Sequence, residues 1–399
     1  MRAEDVPGEI QRAYHTAMQQ PQGPVFVSIP MDDWDSEAEP LEDHDVIHRT
    51  APDPDTIERF ANVLGEARNP AIVTGAGVDR SGAFYDAVTL AEKLAASVWQ
   101  DPISPLASFP QDHPLFQGHL PPAQRQLAET LLSHDVVLVL GAPVFLYYPY
   151  VPGPTVAGET RVLHVSEDPE EAARAAVGTS LVGDVGQAIR DLTDLLPEVD
   201  RQPPLPREQP PEPEAGTPMS VEYVMHTLAG VLPEEAVVFD ETASSKAKLH
   251  RYVRINRPGG YHTSAAGGLG FCMPGSVGYK LAVPERPVVC AIGDGSSMYS
   301  IQALWSASRY AADVTFIVVN NRGYSILKGF RDAIGAGDTV PGLDVEGIDF
   351  VAVAEGLGVD GERVDEAGDL LPAFKRAMNA GRPYLLEVIV DPEVPSLLS

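Results

Sequence analysis

Apolar residues in this chain follow two rhythms. Short unbroken blocks such as "VVLVL" at 136–140 and "VTFIVV" at 314–319 alternate with longer stretches whose apolar positions recur every three or four residues. Unbroken blocks are how strands buried on both faces read, whereas the periodic stretches read as amphipathic helices. Between residues 53 and 196 the pattern predicts strands at 70–78, 96–100, 135–145 and 160–166, with helices at 55–67, 81–95, 122–133, 168–176 and 184–196. Beyond residue 219 it predicts strands near 236–240, 287–292, 314–320 and 384–390, with a helix over 300–310. Alternation of this kind predicts an α/β fold made of two doubly wound parallel-sheet domains.

The start of the chain follows a different plan. Residues 8–18 have helical character, and "GPVFVSIP" at 23–30 reads as a buried strand stopped by proline. One helix and one strand cannot bury a core, so residues 1–48 are expected to be the remnant of a third domain, ending in an acidic linker. A central Rossmann-like domain is then expected at 49–201. Residues 202–218 contain seven prolines and no apolar period, which predicts an extended, semi-rigid linker before a C-terminal domain at 219–399.

Composition narrows the functional classes. The net charge of −29, with only six lysines beside 22 arginines, disfavours nucleic acid and anionic membrane as partners and suits solubility at high ionic strength. Two cysteines without CxxC spacing make neither a disulfide framework nor a zinc site. No apolar run reaches the ~18 residues a membrane span needs and no secretory leader is visible, so a cytoplasmic location is expected. "TGAGVDRSG" at 74–82 resembles a dinucleotide fingerprint but has Arg80 where G-x-G-x-x-G requires its last glycine.

The chemistry concentrates between Gly293 and Asn321. Gly293-Asp294-Gly295 ends one apolar block and Asn320-Asn321 ends the next, with helical sequence between them. Asp294 and Asn321 are thereby placed at the carboxyl ends of two parallel strands, the edge at which open α/β sheets bind ligands. Carboxylate and amide oxygens are hard donors suited to Mg²⁺, which completes its shell with phosphate and water oxygens. Ser296 and Ser297 follow at a helix N-terminus, where phosphate is favoured. The local reading is a diphosphate-bearing cofactor held through a divalent cation.

"GDGS", with the second Asn of "NN" 27 residues after its Asp, resembles the motif of the thiamine-diphosphate-dependent enzyme family, and "SAAGGLGFCMPGSVGYKLA" at 264–282 strengthens the likeness. "GPVFVSIPMDDWD", "FPQDHPLFQGHLP", "DVVLVLGAPVFLYY", "DETASS" and "PGLDVEGIDF" resemble its benzoylformate decarboxylase branch. The resemblance implies thiamine diphosphate and Mg²⁺ as cofactors. Asp294, the Asn321 side chain and the Gly323 carbonyl are then the metal ligands. Thr242, Ala243, Ser244, Gly295, Ser296 and Tyr299 are implied to lie along the diphosphate, with Ala243 standing where a hydroxyl residue is expected. Leu269 is implied to wedge the cofactor into its bent form, and the Gly267 carbonyl to accept from its aminopyrimidine. His113 is implied to be an active-site histidine for proton transfer. Ile326, larger than the expected alanine, and Phe330 are implied to line the substrate pocket.

The implied reaction is non-oxidative decarboxylation of a 2-oxo acid to an aldehyde and CO₂. The family's activating glutamate lies on a pyrimidine-binding domain with no counterpart here, so that domain is expected on another chain, in a homo- or hetero-oligomer. An acetolactate-synthase-like carboligase and a non-catalytic cofactor-binding module are the alternatives.

Overall fold

The computed structural model describes residues 2–42, 44–148, 151–156, 158–337 and 339–394. Among the described residues of the first 48 there is one α-helix, α1 (Val6–Met18), and no strand. The expected buried strand at 23–30 is therefore corrected: the segment is irregular and Phe26 is 92% exposed. A strand needs a neighbour for its N–H and C=O groups, and neither sheet pairs with this segment.

The next unit runs α2 (Pro54–Glu66), β1 (Pro70–Thr74), α3 (Ala76–Arg80), α4 (Phe84–Leu94), β2 (Ser97–Gln100) and β3 (Phe116–His119). It continues with α5 (Gln124–Leu131), β4 (Val136–Leu140), β5 (Arg161–Ser166), α6 (Pro169–Arg174), β6 (Thr179–Val182) and α7 (Val185–Leu195). Its sheet is parallel, in the order β3-β2-β1-β4-β5-β6. One face packs on α2, α4 and α7 through Phe60, Leu64, Leu90 and Ile189; Leu127 and Leu131 of α5 cover the other. The predicted strands 70–78 and 135–145 stop early, at Thr74 and Leu140, because two glycine turns interlock there. A Cβ on Gly75 would lie 2.4 Å from the Ala142 Cβ, and one on Gly77 would lie 2.6 Å from the Gly141 Cα. The Gly75 and Gly77 amides donate to Leu140 and Gly141, so they are spent inside the protein.

The C-terminal unit runs α8 (Val221–Ala229), β7 (Val237–Glu241), α9 (Lys246–Tyr252), β8 (Tyr261–His262), α10 (Cys272–Ala282), β9 (Val288–Gly293), α11 (Asp294–Ser297) and α12 (Ala303–Arg309). It ends with β10 (Val314–Asn320), α13 (Ser325–Ile334), α14 (Phe350–Gly356), β11 (Asp360–Val364), α15 (Ala367–Met378) and β12 (Tyr384–Ile389). This sheet is also parallel, in the order β11-β12-β10-β9-β7-β8, between α8 and α15 on one face and α10, α12 and α14 on the other. The fold is thus two three-layer α/β units with parallel six-stranded sheets.

A polar seam joins the units. The Gln111 amide donates to the Ile255 carbonyl at 3.1 Å, Asn256 donates to Asp112 at 2.6 Å, and the His119 and His250 rings stack with centroids 3.8 Å apart. The proline-rich segment lies along the molecule: Gln117 donates to Leu205 and the Tyr252 hydroxyl to Pro211. No helix among the described residues is long and apolar enough to cross a membrane.

Candidate functional site

Strands β7, β9 and β10 are neighbours, and their carboxyl ends deliver three loops to one place. Gly293 closes β9 opposite Val319 of β10, so Asp294 and Asn321 follow two paired strands. Asp294 is 2% exposed. Its Oδ1 accepts from the Gly295 amide at 2.7 Å, and its Oδ2 accepts from the Gly323 amide at 2.9 Å. Asn321 Oδ1 accepts from the same Gly323 amide at 3.3 Å, while its Nδ2 donates to Ser325 Oγ at 3.0 Å. Its neighbour Asn320 faces the fold instead, donating to Glu387 at 2.7 Å.

Burial pushes the Asp294 carboxyl up to about 6, against the opposing pull of the Gly295 and Gly323 amides. Lys328, a cation acting on it, is itself paired with Asp344 at 2.6 Å. A buried carboxylate beside an amide oxygen fits a hard divalent cation. Among the described residues no group of three or more His, Cys, Asp or Glu could hold a metal by itself. A cation at Asp294 would therefore draw its remaining ligands from phosphate and water oxygens, and the donor set fits Mg²⁺ carried by a diphosphate.

These groups line a cavity of about 570 Å³. Its polar end is formed by Ser244, Asp294, Ser296, Asn321 and Gly323, and its apolar wall by Leu269, Ile326, Leu327 and Phe330. Thr242, Ala243, Gly267, Gly295 and Tyr299 line it as well. Ser244 Oγ accepts from the Ile326 amide at 2.9 Å, which leaves its own hydrogen free to donate into the cavity. Tyr324 lies against Gly295 so closely that a Cβ there would come within 2.3 Å of its ring. Gly267 has φ +70° and open space around it.

The expected residues are placed as follows. His113 does not line the cavity: its ring lies edge-on to Phe109 at 5.3 Å and faces Glu92 at 3.3 Å. The middle unit instead contributes Tyr148, whose ring is 5.0 Å from that of Phe330. Thr242 lines the cavity, but its amide and hydroxyl both donate to Asp240 Oδ1, at 2.8 and 2.6 Å. Ser297 is turned inward, donating to the Asp294 carbonyl at 2.7 Å. The Gly323 amide meets Asp294 and Asn321, and its carbonyl accepts from the Ser325 amide at 3.0 Å with a second lone pair left over. Tyr148, Tyr324, Leu327 and Ser245 had no distinguishing signal in the sequence, because each is an ordinary core or surface residue type until packing orients it.

Comparison with known proteins bears on this geometry. Residues 57–192 match the central domain of thiamine pyrophosphate (thiamine diphosphate) enzymes, and 241–388 match their C-terminal TPP-binding domain. Benzoylformate decarboxylase of Pseudomonas aeruginosa is 39% identical over 393 residues, 97% of this chain and 74% of the relative. The chain belongs to the thiamine-diphosphate-dependent enzyme family. Within it, the crystal structure of benzoylformate decarboxylase from Polynucleobacter necessarius superposes with a TM-score of 0.94 at 35% identity, covering 99% of this chain and 75% of that one. The thiamine-diphosphate-dependent 4-hydroxybenzoylformate decarboxylase of Rhodococcus jostii gives 0.93 at 40% identity, over 99% and 76%. Acetolactate synthase isozyme 1 large subunit of Escherichia coli is 27% identical over 98% of this chain and 71% of its own length.

Proposed function

We propose that this chain carries the diphosphate- and Mg²⁺-anchoring part of a thiamine-diphosphate-dependent decarboxylase acting on a 2-oxo acid of the benzoylformate type. The observation that carries the reading is the convergence of Asp294 and Asn321 on the Gly323 amide, at the polar end of a cavity with an apolar wall. Asp294, Asn321 and the Gly323 carbonyl would hold the cation, and Ser244 and Ser296 would donate to the diphosphate. Leu269, Ile326 and Phe330 would meet the apolar ring and the substrate, and Tyr148 would close the cavity from the middle unit. When bound, thiamine diphosphate supplies the carbon nucleophile and the electron sink for loss of CO₂. Similarity to decarboxylases of benzoylformate and 4-hydroxybenzoylformate supports the substrate class.

Asp294 is the one carboxylate among the described lining residues, and it is committed to the cation end. A second carboxylate to activate the ring would have to come from outside these loops, which supports a contribution from a pyrimidine-binding domain. Calorimetric titration with thiamine diphosphate and Mg²⁺ tests the anchoring role: the wild type should bind, and Asp294→Ala should not. Equal binding by both removes the assignment. Benzoylformate turnover, measured with and without an added pyrimidine-binding domain, then tests the division of labour. Turnover by the unaided chain would overturn it.

A further inference from the structure

β7 ends in two adjacent carboxylates that serve different loops. Asp240 is directed to Thr242 and to the Tyr261 hydroxyl. Glu241, 5% exposed, faces the loop that leads into α10. Its Oε1 accepts from the Gly270 amide at 2.6 Å and its Oε2 from the Cys272 amide at 2.8 Å. The helix lacks a cap of its own, because its N-cap residue is Phe271 and no side chain bonds there. A carboxylate borrowed from a strand about thirty residues earlier supplies that cap, where the positive end of the helix also favours negative charge.

The loop so anchored carries part of the cavity. Its start is tied down through Thr263, whose hydroxyl donates to the Asp240 carbonyl at 2.7 Å and whose amide donates to Pro105. Residues 265–268 between the two ties are exposed, and Leu269 reaches the apolar wall immediately before the Glu241 fork. Gly270 has φ +96°, and a Cβ on it would lie 3.1 Å from the Tyr299 Cβ. The backbone beside Leu269 is therefore held between a carboxylate on one side and a cavity-lining tyrosine on the other.

We infer that Glu241 is a positioning residue that presets Leu269 as part of the ring-facing wall of the cavity, acting through the Gly270 and Cys272 amides. This rests on the thiamine diphosphate reading. It separates the two ends of the ligand, because the Asp294 and Asn321 loops at the cation end are held by hydrogen bonds of their own, none of them to the Glu241 side chain.

The test compares two ligands, each titrated with Mg²⁺. Glu241→Gln keeps the side chain's size but replaces one acceptor oxygen by a donor facing an amide. It should weaken thiamine diphosphate by about ten-fold while leaving inorganic diphosphate within about two-fold of the wild type. Leu269→Ala should show the same selectivity, and the double variant should lose less than the sum of the two. Equal losses for both ligands, no loss for either, or strict additivity would each overturn the inference.

Hydrogen exchange on the wild type reads the fork without any variant. The Gly270 and Cys272 amides should be protected while those of 265–268 exchange quickly, and uniform exchange through the loop would remove the fork. A wild type that bound inorganic diphosphate alone would overturn the cofactor reading and, with it, the proposed role of the wall. The exchange pattern would still decide whether the fork exists.

Discussion

The Asp294 carboxylate and the Asn321 amide oxygen accept from one and the same donor, the Gly323 N–H, at 2.9 and 3.3 Å. Two acceptors from different loops meeting on one backbone hydrogen fix the spacing of those loops without any cation. Asp294→Asn keeps the shape but removes the charge. It should retain the fold and lose Mg²⁺-dependent thiamine diphosphate binding by at least about a hundred-fold, roughly 3 kcal/mol, read by calorimetry. An affinity within a few-fold of wild type would mean that the cation is held elsewhere.

Gly295 faces the Tyr324 ring, and a Cβ there would lie 2.3 Å from Cε1. Gly295→Ala must displace the ring, at a cost of about 1–3 kcal/mol. A lower melting temperature together with weaker diphosphate binding is expected. Pairing it with Tyr324→Ala should recover part of the melting temperature.

Tyr148 and Phe330, one from each unit, both line the cavity with their rings 5.0 Å apart. Aromatic pairs of this kind contribute about 0.5–1.5 kcal/mol beyond burial. A double-mutant cycle on Tyr148→Ala and Phe330→Ala, read as KM for the 2-oxo acid in the reconstituted enzyme, should show coupling of that size. The affinity for thiamine diphosphate should change by less than about two-fold, since neither ring lies at the cation end. Loss of cofactor affinity instead of a raised KM would move Tyr148 out of the substrate region.

Arg201 serves helix ends rather than chemistry. Its guanidinium donates to the carbonyls of Leu94, Leu64, Gly65 and Ala67, at 2.6, 3.2, 3.3 and 2.6 Å. Cations at helix C-termini satisfy carbonyls that the helix leaves open. Arg201→Met should lower stability by about 2–3 kcal/mol in denaturant titration, with cofactor affinity unchanged.

His119 and His250 make the seam sensitive to acid. The stacked pair faces Lys246, Arg254 and Asp240, and His250 lies 3.0 Å from the Tyr261 hydroxyl. Burial, with Lys246 adding to it, pushes His250 down to about 3; burial and then the positive form of His250 hold His119 well below its ordinary range. Both are uncharged in the folded state near neutrality, whereas in the unfolded chain they protonate near 6.5. The unfolded state therefore binds more protons below that value. Stability falls as pH drops through it, by up to about 1.4 kcal/mol per unit for each histidine. Melting curves between pH 7.5 and 5 should show this, with a shallower slope for His250→Gln. An unchanged slope would show that His250 is not held uncharged in the fold.

The sequence reading found the eight interior strands and missed β3, β6, β8 and β11, which are the four sheet edges. Interior strands are covered on both faces and are therefore built around apolar runs. An edge such as Asp360–Val364 is only partly covered and carries polar residues, so no apolar block announces it. The false strand at 23–30 is the converse: an apolar block whose neighbours in sequence provide nothing to pair with it.

What the sequence determined by itself was local: the βα alternation, the family motif, and the placement of Asp294 and Asn321 just past two strands. These follow from residue type and spacing, which the chain carries whatever it packs against. Tertiary structure alone decided which side chains face the cavity. It turned Thr242 and Ser297 inward, left His113 against Glu92, brought Tyr148 across from the other unit, and set Glu241 under a loop about thirty residues away. Each of these depends on how elements distant in sequence meet, and hydrogen-bond partners chosen by packing leave no periodic trace in the chain.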